Sequence, residues 1–278
     1  MLHMERSRVR LPAGPCAPPL NGIHVRTTSH RIAALGVLAI AVGGLTACGG
    51  GSSETVARVA GVDSISKATL DHWIPVEAIV LYNEKPTKPV PRGVIPDPPD
   101  YTACIAYLIT NPQKVVQSGS KPTPGQLKVK CWQRYQELKV LTLNTLIGWD
   151  WTIGAGLALG IKVSDAEARQ RLKEANKNLF PKNAEFTDYL RLTQQTFADM
   201  LFRSRVQLVE AKLVQKLTTM EKLLPKGLTA QQRQRALAQV QKALPPNKQW
   251  AQKTTCRTGY VTSACKQYRG RLSPGLPN

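Results

Sequence analysis

The sequence is poor in the residues that most often carry chemistry. Histidine occurs four times, as His3, His24, His30 and His72, and three of these fall in the first 30 positions. A paired-histidine site or a His-rich metal site therefore has almost nothing to draw on. A Ser-His-Asp arrangement would rest on His72 alone, and no nucleophile motif accompanies it. His72 stands beside Trp73 in a helical pattern and is expected to be a partly exposed structural histidine. No Gly-rich phosphate loop with its lysine and no dinucleotide fingerprint occurs. The Gly154-x-Gly156 pair falls inside a helical pattern. Each glycine there costs about 1 kcal/mol against alanine, so close packing or a bend must account for the pair.

Acidic residues are also few, 18 against 38 Lys and Arg. Five of the basic residues and Glu5 lie in the first 47 positions, leaving 33 against 17 beyond them. Such a surplus attracts anionic partners and is screened by salt. Nucleic acid is the partner to consider inside a cell. Outside it, anionic lipid, wall polymer or acidic polypeptide is expected instead, or a solvated basic surface with no specific ligand. The carboxylate pair Asp165 and Glu167 sits in a first helical turn, where capping and the helix dipole explain it without catalysis.

No apolar run is long enough for a comfortable membrane span. The longest, Ile32 to Leu45, reads as a signal-peptide core preceded by Arg6, Arg8, Arg10, Arg26 and Arg31. It ends in Leu45-Thr46-Ala47-Cys48, followed by Gly49-Gly50-Gly51-Ser52-Ser53. Small residues before a cysteine at that place fit a bacterial lipobox. Cys48 is the expected lipidated N-terminus, with 48–54 as a flexible tether; the alternative is an ordinary signal cleaved nearby. A diacylglyceryl cysteine anchors stably where one chain does not. The prolines at 12, 15, 18 and 19 are odd for a leader and point to an over-extended start.

Beyond Cys48 there are four cysteines, Cys104, Cys131, Cys256 and Cys265. An even count in an exported chain points to disulfides, and three connectivities are possible. Local pairing favours Cys104–Cys131 and Cys256–Cys265. The first closes a loop of about 26 intervening residues, worth roughly 3 kcal/mol if unstrained. Neither pair has the Cys-x-x-Cys spacing of a zinc site, and no cofactor or metal is expected.

What the chain does have is helical periodicity. Val140, Leu143, Ile147 and Trp151 fall on one stripe, with Leu146, Ile153 and Leu157 beside it. Gly160 stands where a left-handed C-terminal cap is wanted. Ser164-x-x-Glu167 is a capping box opening a helix over 165–178. Asn183 can cap a short helix through Phe186, Tyr189 and Leu190. Thr196 with Asp199 can cap a longer one over 197–217, with Phe197, Leu201, Leu208, Val209 and Leu213 facing inward. Four helices with short links make an all-α core.

Ahead of this core, Thr55–Val59 alternates like a strand, 60–63 turn, and Ser64-Ile65 return, a small N-terminal β-hairpin. Ser66 then caps a helix carrying Leu70, Trp73, Ile74 and Ile79, with a kink or break expected at Pro75. Residues 83–125 hold a Pro-rich insert draped on the core, with one helix over Tyr101–Ile109 and a loop from Gly119 to Gly125. Thr229 with Gln232 opens a helix whose face is Leu237, Val240 and Leu244. Residues 218–265 thus form a C-terminal helix and disulfide loop, and 266–278 a disordered tail.

The run LGIKVSDAEARQRL, then FPKNAEFTDYL, then TFADMLFRSRVQLVEAKL resembles the N-terminal domain of SurA-type extracytoplasmic foldases. The likeness is to lipoprotein members of Gram-positive, actinobacterial type. It covers most of 54–217 and again 248–265, where VARVAG…ISKATLDHWI and QWAQKTTCRTGYVTSAC also look like that subgroup. The resemblance implies a mainly α, trigger-factor-like chaperone domain with a small β-hairpin. It implies a lipid-anchored protein at the extracytoplasmic face of the membrane that binds unfolded exported polypeptides, without nucleic acid. Relatives often carry a parvulin prolyl-isomerase domain after the fourth core helix. Here about 30 residues separate Leu217 from Lys248, where a domain needs at least ~50, so no catalytic residues are expected. The alternatives are a prolyl isomerase by family label and a scaffold lipoprotein with one envelope partner. Candidate client-binding residues are Trp149, Trp151, Phe197, Leu201, Arg203 and Arg205, with Lys212 and Lys216 adding to a basic rim. One of the two tryptophans is expected in the core, the other under the insert or along a groove.

Overall fold

The computed structural model describes residues 54–111, 122–180, 182–222, 224–225, 227–241, 245 and 248–270. The expected leader, Cys48 and its tether lie outside the described residues, as do the side chains of Leu237, Val240 and Leu244. The elements run β1 (Thr55–Val59), β2 (Ser64–Ser66), α1 (Lys67–Tyr82), α2 (Thr102–Thr110) and α3 (Pro124–Ala158). Then come α4 (Asp165–Leu179), α5 (Asn183–Thr193), α6 (Phe197–Lys222), α7 (Ala230–Gln241), α8 (Lys248–Gln252) and β3 (Thr254–Cys256). The fold is mainly helical with one small antiparallel sheet.

Local chemistry sets most element ends. The Ser66 hydroxyl accepts from the Thr69 amide at 3.0 Å and starts α1. Reciprocal capping boxes open α4, where the Glu167 amide reaches Ser164 Oγ at 3.2 Å and the Ser164 amide reaches Glu167 Oε2 at 2.8 Å. The same exchange joins Thr196 to Asp199 at 2.6 and 3.1 Å, and Thr229 to Gln232 at 2.9 and 3.2 Å. Two orphan amides are satisfied at each such start. Gly160 ends α3 at φ 70°, and the Ile161 amide reaches back to the Gly156 carbonyl at 2.8 Å. That bond is the long one of a Schellman cap.

Two helices differ from expectation. α3 begins at Pro124, well before the apolar stripe, because Thr123 and Gln126 form a further capping box with Pro124 in the first turn. Residues 123–125 are thus helix start, not loop. α1 runs through Pro75 without a break. Its neighbours Trp73, Ile74 and Val76 are all buried, so packing holds the turn that the missing amide weakens.

The main core gathers α1, α3 and α6 around the sheet. Leu70, Trp73, Ile74 and Val76 of α1 meet Leu143, Leu146, Ile147, Trp149 and Trp151 of α3, with Val206, Val209 and Leu213 of α6. Fully burying each aliphatic side chain contributes on the order of 1.5–3 kcal/mol. Both core-helix glycines are explained by close packing. A Cβ on Gly154 would stand 2.7 Å from the Trp250 ring, and one on Gly156 would stand 2.5 Å from Val209 Cγ1.

The sheet has an unforeseen member. β1 is central, with β2 on one side and β3 on the other, pairing Ala57 with Cys256 and Val59 with Thr254. The outer edge of β3 is closed by the return loop. The Lys266 amide donates to the Thr254 carbonyl at 2.9 Å, and the Gln267 side chain bonds Cys256 at both its amide (3.2 Å) and its carbonyl (2.8 Å). The Cys256–Cys265 disulfide spans that loop. Residues 266 and 267, expected in a disordered tail, are therefore part of the sheet's edge, while 271–278 lie outside the described residues.

The insert has a small core of its own. Val94, Tyr101, Tyr107, Leu108, Leu127 and Trp132 surround the Cys104–Cys131 disulfide. Asp97 caps α2 by accepting from the Ala103 and Cys104 amides at 2.9 and 3.0 Å. The second core replaces the draped chain that its proline content implied.

Candidate functional site

An open groove of about 680 Å³ lies between α3, α6 and the C-terminal segment. α3 supplies Asn144, Gly148, Trp151 and Thr152 at helical spacing, and Val206 and Glu210 come from α6. Ala251, Ser263 and Ala264 close the far wall. A helix face widened by a glycine makes such a floor. Nothing stands within 4 Å of where a Cβ on Gly148 would lie. The walls are mostly apolar, and the Asn144 Oδ1 atom at the groove is buried without a partner.

The candidate residues scatter around this groove. Trp149 is 5% exposed and packs edge-on against Trp73 and Phe202, with centroids 5.3 and 5.9 Å away. Trp151 is equally buried and its Nε1–H donates to Thr254 Oγ1 at 2.7 Å. That hydroxyl in turn donates to the Trp250 carbonyl at 2.8 Å. Both rings are core, and both show an edge to the groove. Phe197 does not face inward. It is 45% exposed, with the Arg169 guanidinium of α4 6.0 Å over its ring. Leu201 is half-buried.

The expected basic rim is engaged within the chain. Arg205 pairs with Asp165, Lys212 bonds Glu167 at 2.5 Å and the Lys162 carbonyl at 3.0 Å, and Lys216 reaches the Leu159 carbonyl at 2.5 Å. These contacts brace α6 against α4 and the turn before it. Arg203 lies among Gln195, Met200 and Glu77, and loss of solvent lowers its pKa. The Lys212 ammonium and the Ser164 cap hold the Glu167 carboxyl down near 2.

Two carboxyls are shifted the other way. Glu77, 2% exposed on α1, is pushed up to about 7 by burial, with Arg203 opposing the shift. Asp150 on α3 is raised to about 8 by burial and by Asp63 in the β1–β2 turn. His72 is part-exposed and its Nε2 lies 3.1 Å from Asp199 Oδ2, the same oxygen that accepts from the Thr196 amide. The pair is a joint between α1 and α6. Among the described residues, no group of three or more His, Cys, Asp or Glu is placed to hold a metal ion.

Sequence reasoning missed a second set of cavities along α5. Volumes of about 600, 330 and 180 Å³ follow one another there, sharing Arg191 and Leu192, then Lys85, Phe180 and Tyr189. The Pro-rich segment 86–96 forms the facing wall, a role its composition did not announce. No family model, no curated protein and no solved structure matches the chain.

Proposed function

We propose that the chain is a lipid-anchored, extracytoplasmic, chaperone-like protein that holds unfolded exported polypeptides without covalent chemistry. Cys48 carries the anchor, and the groove between α3, α6 and the C-terminal segment takes the client. The observation that supports this most is the groove itself. It is open, mainly apolar and wide enough for several side chains. Apolar walls supply affinity for many sequences, and a few polar groups set orientation. The two disulfides support export, since such bonds persist in oxidising compartments.

The test is suppression of aggregation of a reduced, unfolded model protein. The purified chain at a few-fold molar excess is expected to suppress light scattering. Ser263→Trp, at an exposed position on the groove wall, is expected to abolish most of the effect while the melting temperature holds. No suppression by the unaltered chain, or full suppression by the variant, refutes the reading.

A further inference from the structure

The outward face of α4 carries a charge stripe that the groove does not use. Arg169, Lys173 and Lys177 recur every four residues and are all exposed. At 3.6 residues per turn they share one face, with neighbours about 6 Å apart. The helix packs on α6 through the buried Ala168 and Leu172, about 100° round from Arg169 and Lys173 respectively. Arg171 is also exposed but lies about 160° round the helix from Arg169 and Lys173, off this face.

The acids of α4 do not balance this stripe. Asp165 pairs with Arg205 and Glu167 with Lys212, so cations of α6 already compensate both. Glu174 accepts from the Gln170 side chain at 2.8 Å and is the one remaining carboxylate on the helix. Three cations of the stripe therefore face solvent, with Glu174 the one acid of α4 not compensated by α6. Beside them Phe197 is 45% exposed, with Arg169 over its ring. An apolar ring next to a row of cations on a convex helix face suits a headgroup layer, where the ring can enter the acyl boundary. None of the cavities described above is lined by Arg169, Lys173 or Lys177.

We propose that the exposed face of α4, with Phe197 at its edge, docks on an anionic lipid bilayer. The docking is independent of any lipid on Cys48. It would set the orientation of the body at the surface, with the cations over the headgroups and the Phe197 ring below them.

The test uses the full chain with Phe197→Trp as reporter. The five native tryptophans are between 1 and 8% exposed, so the added indole is the one that meets the lipid. Its emission is expected to shift to the blue on phosphatidylglycerol vesicles and to be quenched by brominated phosphatidylglycerol. Phosphatidylcholine vesicles are expected to do neither, whatever the apolar run 32–45 does with both. Each surface cation strengthens such binding about fivefold, so K173Q/K177Q should weaken it about 30-fold, and K173R/K177R should restore it. Raising salt to ~0.5 M should release the reporter, as the Debye length falls to a few ångströms. A reporter that responds equally to both lipids, or equally in K173Q/K177Q, overturns the proposal. Binding of the stripe to an acidic polypeptide with no response to vesicles overturns it as well.

Discussion

Replacing Gly154 by alanine sets two effects of known sign against each other. In a helix interior, alanine is favoured over glycine by about 1 kcal/mol. At Gly154 the new methyl would stand 2.7 and 2.8 Å from two atoms of the Trp250 ring and 2.9 Å from Val62 Cγ2. Real Cβ contacts do not come that close, so something must move. Trp250 is 5% exposed, and Lys253 lies 4.8 Å over its ring. A rigid indole cannot yield as a flexible chain end would. Overpacking costs about 1–3 kcal/mol, and about 2 kcal/mol against a rigid ring, so after the ~1 kcal/mol propensity gain a net loss of about 1 kcal/mol remains relative to the native chain. Gly148, six residues earlier in the same helix, is the matched control. Nothing lies within 4 Å of its Cβ position, so Gly148→Ala should gain up to ~1 kcal/mol. Urea denaturation with unchanged m-values reads both. For a domain of this size Gly154→Ala should lower the melting temperature by about 2–4 °C, and Gly148→Ala should raise it. In a Trp250→Ala background, Gly154→Ala should lose most of its cost, since the wall it strikes is gone. Equal gains at the two glycines would refute the account of why α3 keeps a glycine under Trp250.

Two further perturbations probe other joints. Glu77 has a folded pKa of about 7, above its ordinary value of 4.5, so the native state holds its proton more tightly than the unfolded state. Its contribution is fully present below pH ~4.5 and falls away as pH rises to ~7, by on the order of 3 kcal/mol. Glu77→Gln should remove that slope from the stability-versus-pH curve, seen in melts across pH 4 to 8. The second perturbation, C256S/C265S, opens the loop that carries Lys266 and Gln267 along the edge of β3. It should cost about 2.5 kcal/mol by loop entropy. It should also promote self-association by exposing strand edge, a concentration-dependent sedimentation change that Gln267→Ala alone should partly reproduce.

Features set within a few residues were legible in the sequence. Ser164-x-x-Glu167, Thr196-x-x-Asp199 and Gly160 each act through bonds no more than five residues long, and each stands where its pattern places it. The two disulfides follow from clustering along the chain. Thr123-x-x-Gln126 carried the same local signal but stood among prolines and glycines that read as loop. Long-range partners left no such mark. Three residues, Thr254–Cys256, are too few to show strand alternation, and their pairing partner lies about 200 positions earlier. Arg205, Lys212 and Lys216 look like a rim when α6 is read alone. They become braces once α4 and its preceding turn lie alongside.

The groove was hardest to read because its walls come from segments 100 residues apart, and this has a physical consequence. Trp151 both lines the groove and donates to Thr254, while Thr254 donates to the Trp250 carbonyl and Trp250 covers Gly154. Anchoring β3 to the sheet and shaping the groove are therefore one set of contacts. Loosening the C-terminal segment would widen or erase the groove before the helical core of α1, α3 and α6 is touched, because that core's larger part does not depend on β3. The client binding proposed for the groove and the docking of the C-terminal segment should then fail together under mild denaturant, below the main unfolding transition. A site built across the α1–α3–α6 core alone would instead fail with it.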